Sequence, residues 1–421
     1  MHSAVIEELL PRELVSTAAA APVLEIWWPL EGARVSGVQP FKALIDGRAL
    51  SEYQMFWQVD EGQWNWMGDS MTDWPHKEAM VDVSGWRWRG DGPYRVNFIA
   101  RDHSGTIITQ RTVTIFASSA TPPESSGTNG SNPLAGALFY IDPHSQAKRQ
   151  ADAWRSTRPA DAAHLEKIAY EPVAQWFGDW NGNVGVDAAA AVSAITSRGA
   201  LPVFVAYNIP GRDCGGYSWG GAGSAQAYRD WIAAFAAGIG NERAVIVLEP
   251  DALAHMDCLE PAAQRERLAL IEEAIALFKR NPSAAVYIDA GHSGWMTPEA
   301  MAERLGSAGI GRADGFALNV SNFVSNAENI AYGKRIVHLL GGVHFVIDTS
   351  RNGHGAASDG QWCNPRGRGL GERPTAQTGE ELVDAFLWLK PPGASDGTCN
   401  GGPPAGQWWA EYALELARNA Q

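Results

Sequence analysis

No part of the chain approaches the roughly 20 consecutive apolar residues that a bilayer-spanning helix needs, so no membrane partner is expected. Basic residues are also in short supply: 33 Lys and Arg against 47 Asp and Glu leave a formal charge of −14. A surface of that sign repels phosphate backbones and anionic lipid, which excludes nucleic acid as a partner. A neutral polymer such as a polysaccharide meets no such barrier. Cysteine is scarce, with Cys214, Cys258, Cys363 and Cys399 the only four, none at the close spacing of a zinc site. An even number at wide spacing reads as two disulfides made in an oxidising compartment, and we expect a secreted protein. Sequential pairing, Cys214–Cys258 and Cys363–Cys399, is the expectation, although four cysteines allow three connectivities. Each bridge is worth roughly 4 kcal/mol on the chain-entropy account. There is no phosphate-cradling glycine loop, no His/Cys/Asp cluster at ligand spacing and no serine nucleophile elbow. We therefore expect neither metal nor cofactor. Residues 1–21 end in a small-residue run without a basic start or a continuous apolar stretch, and read as a disordered leader rather than a signal peptide.

What the chain does have is patterning in two styles. Residues 22–117 carry short alternating runs (Val23–Trp28, Phe41–Ile45, Tyr53–Val59, Tyr94–Ala100, Thr106–Phe116) separated by turn signals such as Asp46-Gly47 and Ser104-Gly105. That spacing predicts an all-β sandwich of immunoglobulin-like type. Within it Trp64, Trp66, Trp86 and Trp88 stand at i, i+2 spacing, which puts each pair on one face of a strand. Packing is the commoner use of such rings, and an exposed face would bind glucan. Residues 118–132 (SSATPPESSGTNGSN) have no apolar content and read as a flexible linker.

From residue 133 to 421 apolar, β-branched runs alternate with helical periodicity. The runs are Ala135–Ile141, Pro202–Tyr207, Ala244–Glu249, Ala285–Ala290, Gly315–Val320, Val343–Asp348 and Asp384–Lys390. Between them, Tyr228, Trp231, Ile232 and Phe235 have helical spacing, as do Leu268, Ile271, Ile275 and Phe278. Strands apolar on both faces, alternating with helices, predict an α/β fold with a parallel sheet, here a seven-stranded (β/α) barrel, one strand short of eight. Polar residues gather where these strands end: Asn208 to Asp213, Glu249-Pro-Asp251, Asp289 to His292 and Trp295, Asn319, Asp348 to Arg351, and Lys390 to Asp396. Barrel enzymes build their sites at that rim. Helix caps and turns use the same residues singly, but a full ring of them points to catalysis. Aspartates crowded in one cleft cannot all ionise, and a protonated carboxyl beside an ionised one is the general acid that glycoside cleavage requires.

At these residues the chain resembles the family 6 glycoside hydrolases, the inverting cellulases. The resemblance rests on Tyr207-Asn-Ile-Pro-Gly-Arg-Asp-Cys214, Val247-Leu-Glu-Pro-Asp251, Tyr287-Ile-Asp-Ala-Gly-His-Ser-Gly-Trp295, Ile347-Asp-Thr-Ser-Arg-Asn-Gly353, Trp362-Cys-Asn364 and Asp384-Ala-Phe-Leu-Trp-Leu-Lys390, in family order across nearly all of residues 134–421. It implies a distorted seven-stranded parallel barrel, a β-1,4-glucan substrate and two sequential disulfides. It further implies Asp251 as general acid, Asp213 as the charged neighbour that keeps Asp251 protonated and orders water, and Asp396 as candidate base. Tyr207 would crowd the sugar at the cleavage point. Trp362 and Trp295 would stack glucose units, while Lys390, His292 and Asp289 would contact the substrate. Asn319 and Arg212, by their places after strand ends, and Ser218, in the loop after the first motif, are further substrate-binding candidates. Two departures stand out: Ala394 lies where the family commonly has Glu, and Trp219 where a small residue is expected. The short segments Ser321–Ala331 and Cys399–Gln407 leave the cleft open and favour an endoglucanase; a monomer is expected. An exo-acting cellobiohydrolase and a non-catalytic glucan-binding protein are the alternatives.

Overall fold

The computed structural model describes residues 132–420 and residues 22–117, the latter apart from 30, 36–37, 71–74, 84, 87 and 91. The expected leader at 1–21 and all but the last residue of the expected linker at 118–132 lie outside the described residues. The chain divides into two compact units, Met1–Ser125 and Ser126–Gln421. Among the described residues no helix is long and apolar enough to cross a membrane.

The first unit is all β. Its strands are β1 (Leu24–Trp28), β2 (Arg34–Val35), β3 (Val38–Ile45), β4 (Gln54–Val59), β5 (Asn65–Ser70), β6 (His76–Asp82), β7 (Tyr94–Arg101) and β8 (Ile107–Ala117). One ladder in the order β1-β3-β6-β5-β4-β7-β8-β2 links them, antiparallel except for the β2–β8 pair. Alternate residues point inward, so Phe41, Met55, Tyr94, Val96, Phe98 and Ile115 fill a single core. β5 and β6 escape the sequence pattern because β5 holds Gly68 and Asp69 and β6 groups His76, Lys77 and Glu78 ahead of its apolar residues, without alternation. Trp64 and Trp66 do share a face, both against the Phe56 ring at 5.8 and 5.4 Å. Trp86 and Trp88 do not: Trp86 is in the core and Trp88 is exposed, because they lie in a turn and not a strand.

In the second unit, seven parallel strands run β9 (Gln175–Gly178), β10 (Val203–Tyr207), β11 (Ala244–Leu248), β12 (Ala284–Asp289), β13 (Gly315–Leu318), β14 (His344–Asp348) and β15 (Val383–Leu387), paired in sequence order. The expected strand at Ala135–Ile141 is not one. It makes a single bridge, Phe139 to Leu201, and β9 takes its place in the sheet. β9 is only four residues long, contains Gln and Gly, and gives no periodic signal. The sheet is a half-barrel and not a closed one. β9 and β15 share no ladder; at their ends the Ala174 N–H donates to Trp388 O at 2.9 Å and the Trp176 indole N–H to Leu389 O at 2.7 Å.

Strand alternation divides the core cleanly. Val205, Tyr207, Val245, Val247, Tyr287, Ala317, Val346, Ala385 and Leu387 line the inside. Phe204, Ile246, Leu248, Ile288, Phe316 and Ile347 face the helices. Both helices expected from spacing are present, Ala225–Ile239 and Pro261–Phe278, with Ser224 capping the first through the Ala227 N–H. The disulfides pair sequentially: Cys214–Cys258 ties the loop after β10 to the loop after β11, and Cys363–Cys399 ties those after β14 and β15.

Candidate active site

Every strand from β10 to β15 delivers a polar residue to the same rim, and several do so in a backbone conformation that disfavours side chains. Asp213 (φ +57°), Glu249 (φ +49°), Asp251 (φ +69°) and Asn319 (φ +65°) all occupy the left-handed region. Each costs of order 1–3 kcal/mol, and such strain persists where the surroundings over-determine it, typically at functional sites.

Asp251 sits in the turn after β11. Its backbone N–H donates to Asp289 Oδ2 at 2.8 Å. Burial, then the charges of Asp289 and Asp213, push its carboxyl well above the usual aspartate range, against the opposing pull of Lys390. Asp289, the last residue of β12, is itself buried and pushed up to about 7, although the N–H groups of Asp251 and Gly291 stabilise its anion. Asp213 opens a tight 3-10 turn after β10, where the Ser218 N–H holds its Oδ2 at 2.6 Å. A side chain at Gly216 would displace this carboxylate, since a Cβ would come within 2.5 Å of that oxygen. His255 Nε2 stands 3.7 Å from Asp213 Oδ1. Tyr207, at the end of β10, is buried; burial and the charges of Asp251 and Asp213 keep its phenol protonated.

Asp396 has the opposite environment. Burial alone would raise its carboxyl, but Arg351 and Lys390 outweigh burial and hold it below the ordinary range. Arg351 Nη1 lies 3.0 Å from both of its oxygens, Lys390 Nζ lies 3.4 Å from Oδ1, and the Asn364 N–H donates to Oδ2 at 3.0 Å. Arg351 is fully buried and also binds the Ser321 carbonyl. The site thus holds two carboxyls, Asp251 and Asp396, whose surroundings drive their proton affinities apart.

The remaining expected residues divide. Trp362 is 52% exposed and Trp295 half-buried beside His292, whose imidazole burial lowers to about 4, so the ring is neutral at ordinary pH. Arg212 is spent on scaffolding: it donates to Asp179 Oδ1, the Tyr207 carbonyl and the Ser218 carbonyl at 2.9–3.1 Å. Asn319 contributes no exposed atoms to the rim. It is wholly buried, with its amide committed to the Asp348 carbonyl and the Val324 N–H. Ser218 needs a correction. Gly216-Tyr-Ser-Trp-Gly220 does spell the Gly-x-Ser-x-Gly pattern, but it lies in a loop after a 3-10 turn and not in the strand-to-helix turn of a nucleophile elbow. Trp219 points to solvent at 67% exposure. Ala394 is buried in a short bridge with Trp408.

Sequence reasoning places Asp348 and Arg351 on the rim and Asn364 in a motif but gives them no role, and it passes over Tyr217. Arg351 and Asn364 hold Asp396, and nothing in their spacing announces it. Asp348 clamps four backbone N–H groups, those of Ser350, Leu389, Ser321 and Lys390, at 3.0–3.2 Å. Tyr217 crosses from the Asp213 loop onto Gly397, where a Cβ would meet its ring at 2.3 Å, and its ring centroid is 6.3 Å from that of Trp362.

With this geometry in place, the sequence profile of the glycosyl hydrolases family 6 matches residues 134–420. The chain belongs to glycosyl hydrolases family 6. Within the family it is 48% identical over 289 residues to Endoglucanase A of Cellulomonas fimi, covering 67% of this chain and 61% of that protein. It is 46% identical over 290 residues to Endoglucanase 1 of Streptomyces halstedii, covering 66% and 88%. Among solved structures, the endoglucanase Cel6 from Mycobacterium tuberculosis, in complex with methyl-cellobiosyl-4-deoxy-4-thio-β-D-cellobioside, matches with a TM-score of 0.66 at 47% identity over 69% of this chain and 99% of that one. Family membership makes the chain a glycoside hydrolase.

Proposed function

We propose that this chain cleaves internal β-1,4-glucosidic bonds in cellulose and related glucans with inversion at the anomeric carbon. The observation that carries the reading is the divergence of two carboxyls on one rim: Asp251 pushed up by burial, Asp289 and Asp213, and Asp396 held down by Arg351 and Lys390. Asp251 donates its proton to the leaving glycosidic oxygen. Asp213 keeps that proton in place by its charge and orders the attacking water. Asp396 is the candidate base; its tight pairing with Arg351 limits its proton affinity, so it acts on water already polarised by the developing oxocarbenium ion. Tyr207 supports the same cluster from below. Trp362 and Trp295 offer ring faces on which glucose stacks, and Lys390 and neutral His292 bind hydroxyls.

Endo action is favoured over a cellobiohydrolase by the short segments flanking the cleft, where the helix Asn326–Leu340 begins five residues after Ser321, and by the endoglucanase names of the relatives. A purely glucan-binding role is disfavoured by the intact carboxyl pair. The two disulfides suit secretion, and the first unit, with its antiparallel ladder, suits an immunoglobulin-like accessory domain. The chain is proposed to act as a monomer.

The test is hydrolysis of a soluble mixed-linkage glucan followed by proton NMR from the first minute. The α-anomer should accumulate at the new reducing end before mutarotation, with a steep fall in viscosity per bond cut. Initial β-anomer would overturn inversion, and a flat viscosity curve with steady release of reducing sugar would overturn endo action.

A further inference from the structure

The Asp213 loop carries no regular structure between Asn208 and Arg212, yet it must hold Asp213 at a fixed separation from Asp251. Two side chains outside the carboxyl cluster grip its backbone. Glu249, two residues before Asp251, is buried to 1% exposure, and its Oε2 accepts from the Asn208 N–H at 2.8 Å and the Ile209 N–H at 2.9 Å. Arg267, buried on the helix Pro261–Phe278, donates through Nη2 to the Pro210 and Gly211 carbonyls at 2.9 and 3.0 Å. Through Nη1 it also donates to the Ala252 carbonyl at 3.2 Å, on the residue following Asp251. The two groups therefore bind consecutive N–H and C=O groups of one loop while belonging to, or reaching, the turn that presents Asp251.

We propose that Glu249 is a positioning residue that pins the entry of the Asp213 loop to the Asp251 turn, with Arg267 completing the clamp, and so sets the Asp213–Asp251 separation. A buried carboxylate left without these N–H donors would be expelled or neutralised, so the clamp and the strained backbone at Glu249 depend on one another. The groups facing Glu249 are Tyr228, Arg212 and Arg267, and burial raises its carboxyl to about 7. An amide serves the same two N–H groups with one oxygen and turns its NH2 to the Tyr228 hydroxyl oxygen. This proposal rests on the assignment of Asp251 and Asp213 made above.

Glu249→Ala and Glu249→Gln test it. In Glu249→Ala, kcat on soluble glucan should fall on the order of 10²-fold, the usual consequence of displacing a catalytic group by about 1 Å, while KM moves less than about twofold. The alkaline limb of kcat/KM should shift to lower pH, because Asp213 no longer presses its charge on Asp251. Glu249→Gln should recover most of the rate and the limb. Amide hydrogen exchange at Asn208 and Ile209 should be slow in the wild type and in Glu249→Gln but fast in Glu249→Ala. Equal protection in all three overturns the proposal whatever the activity does. So does a rate loss in Glu249→Ala that Glu249→Gln fails to relieve. A wild type that gives initial β-anomer would instead sink the inverting assignment, with the exchange data still reporting on the clamp.

Discussion

Asp251→Ala is expected to lower kcat on a soluble mixed-linkage glucan by about 10²–10⁴-fold, the usual share of a general acid, with the fold intact. A sugar alkoxide is a poor leaving group, and Asp251 is the carboxyl whose surroundings keep a proton ready for it: burial first, then Asp289 and Asp213. An aryl cellobioside with an acidic phenol leaves without a proton, so the same variant should lose far less on that substrate. Equal loss on both would mean that Asp251 does something other than donate a proton. The proton affinity also has a stability consequence. A folded-state pKa raised above the unfolded value contributes stability that is fully present below the unfolded value and is lost as pH rises through the folded one. Asp251→Asn removes that dependence, so its urea midpoint should fall less than the wild type's between acidic and neutral pH.

Arg351→Ala should be the most destabilising single change at the site. Arg351 is fully enclosed and its partner Asp396 is 5% exposed, so removing the guanidinium takes away the bidentate partner of a buried carboxylate and leaves it to Lys390, 3.4 Å away, and the Asn364 N–H. Breaking a buried pair in this way costs about 3–5 kcal/mol, far more than the pair itself adds over an apolar replacement. Hydrolysis should fall with it, since Asp396 would then take up a proton. Asp396→Leu in the Arg351→Met background should restore much of the lost stability and none of the activity. Urea unfolding of Arg351→Met, Asp396→Leu and the double variant reads this coupling directly, and additive losses would contradict it.

Much of this was legible before any coordinates. Strand runs such as Ala244–Leu248 are apolar on both faces and end abruptly in carboxylates, so the rim and its aspartates announce themselves in one dimension. What was not legible depends on pairs brought together from far apart. Arg351 and Asp396 are 45 residues apart, and Glu249 meets Asn208 across 41; no periodicity encodes either contact. Asn319 looked like a substrate ligand because it ends a strand, but its left-handed backbone and buried amide show a residue that shapes a turn. Local apolarity favours Ala135–Ile141 as a strand, whereas Gln175–Gly178 is four residues without alternation and joins the sheet through its pairing with β10. The Tyr217 contact with Gly397 depends on a glycine on the opposite rim.

General-acid catalysis here turns on whether the Asp251 carboxyl holds its proton where ordinary aspartates have lost theirs. The direct measurement is a pH titration of protein labelled with ¹³C at the aspartate carboxyls, with Asp251→Asn used to assign the signal. A resonance absent from Asp251→Asn is expected, with a midpoint well above the usual aspartate range that moves down in Asp213→Asn. A midpoint within the ordinary range, unmoved by Asp213→Asn, would contradict it.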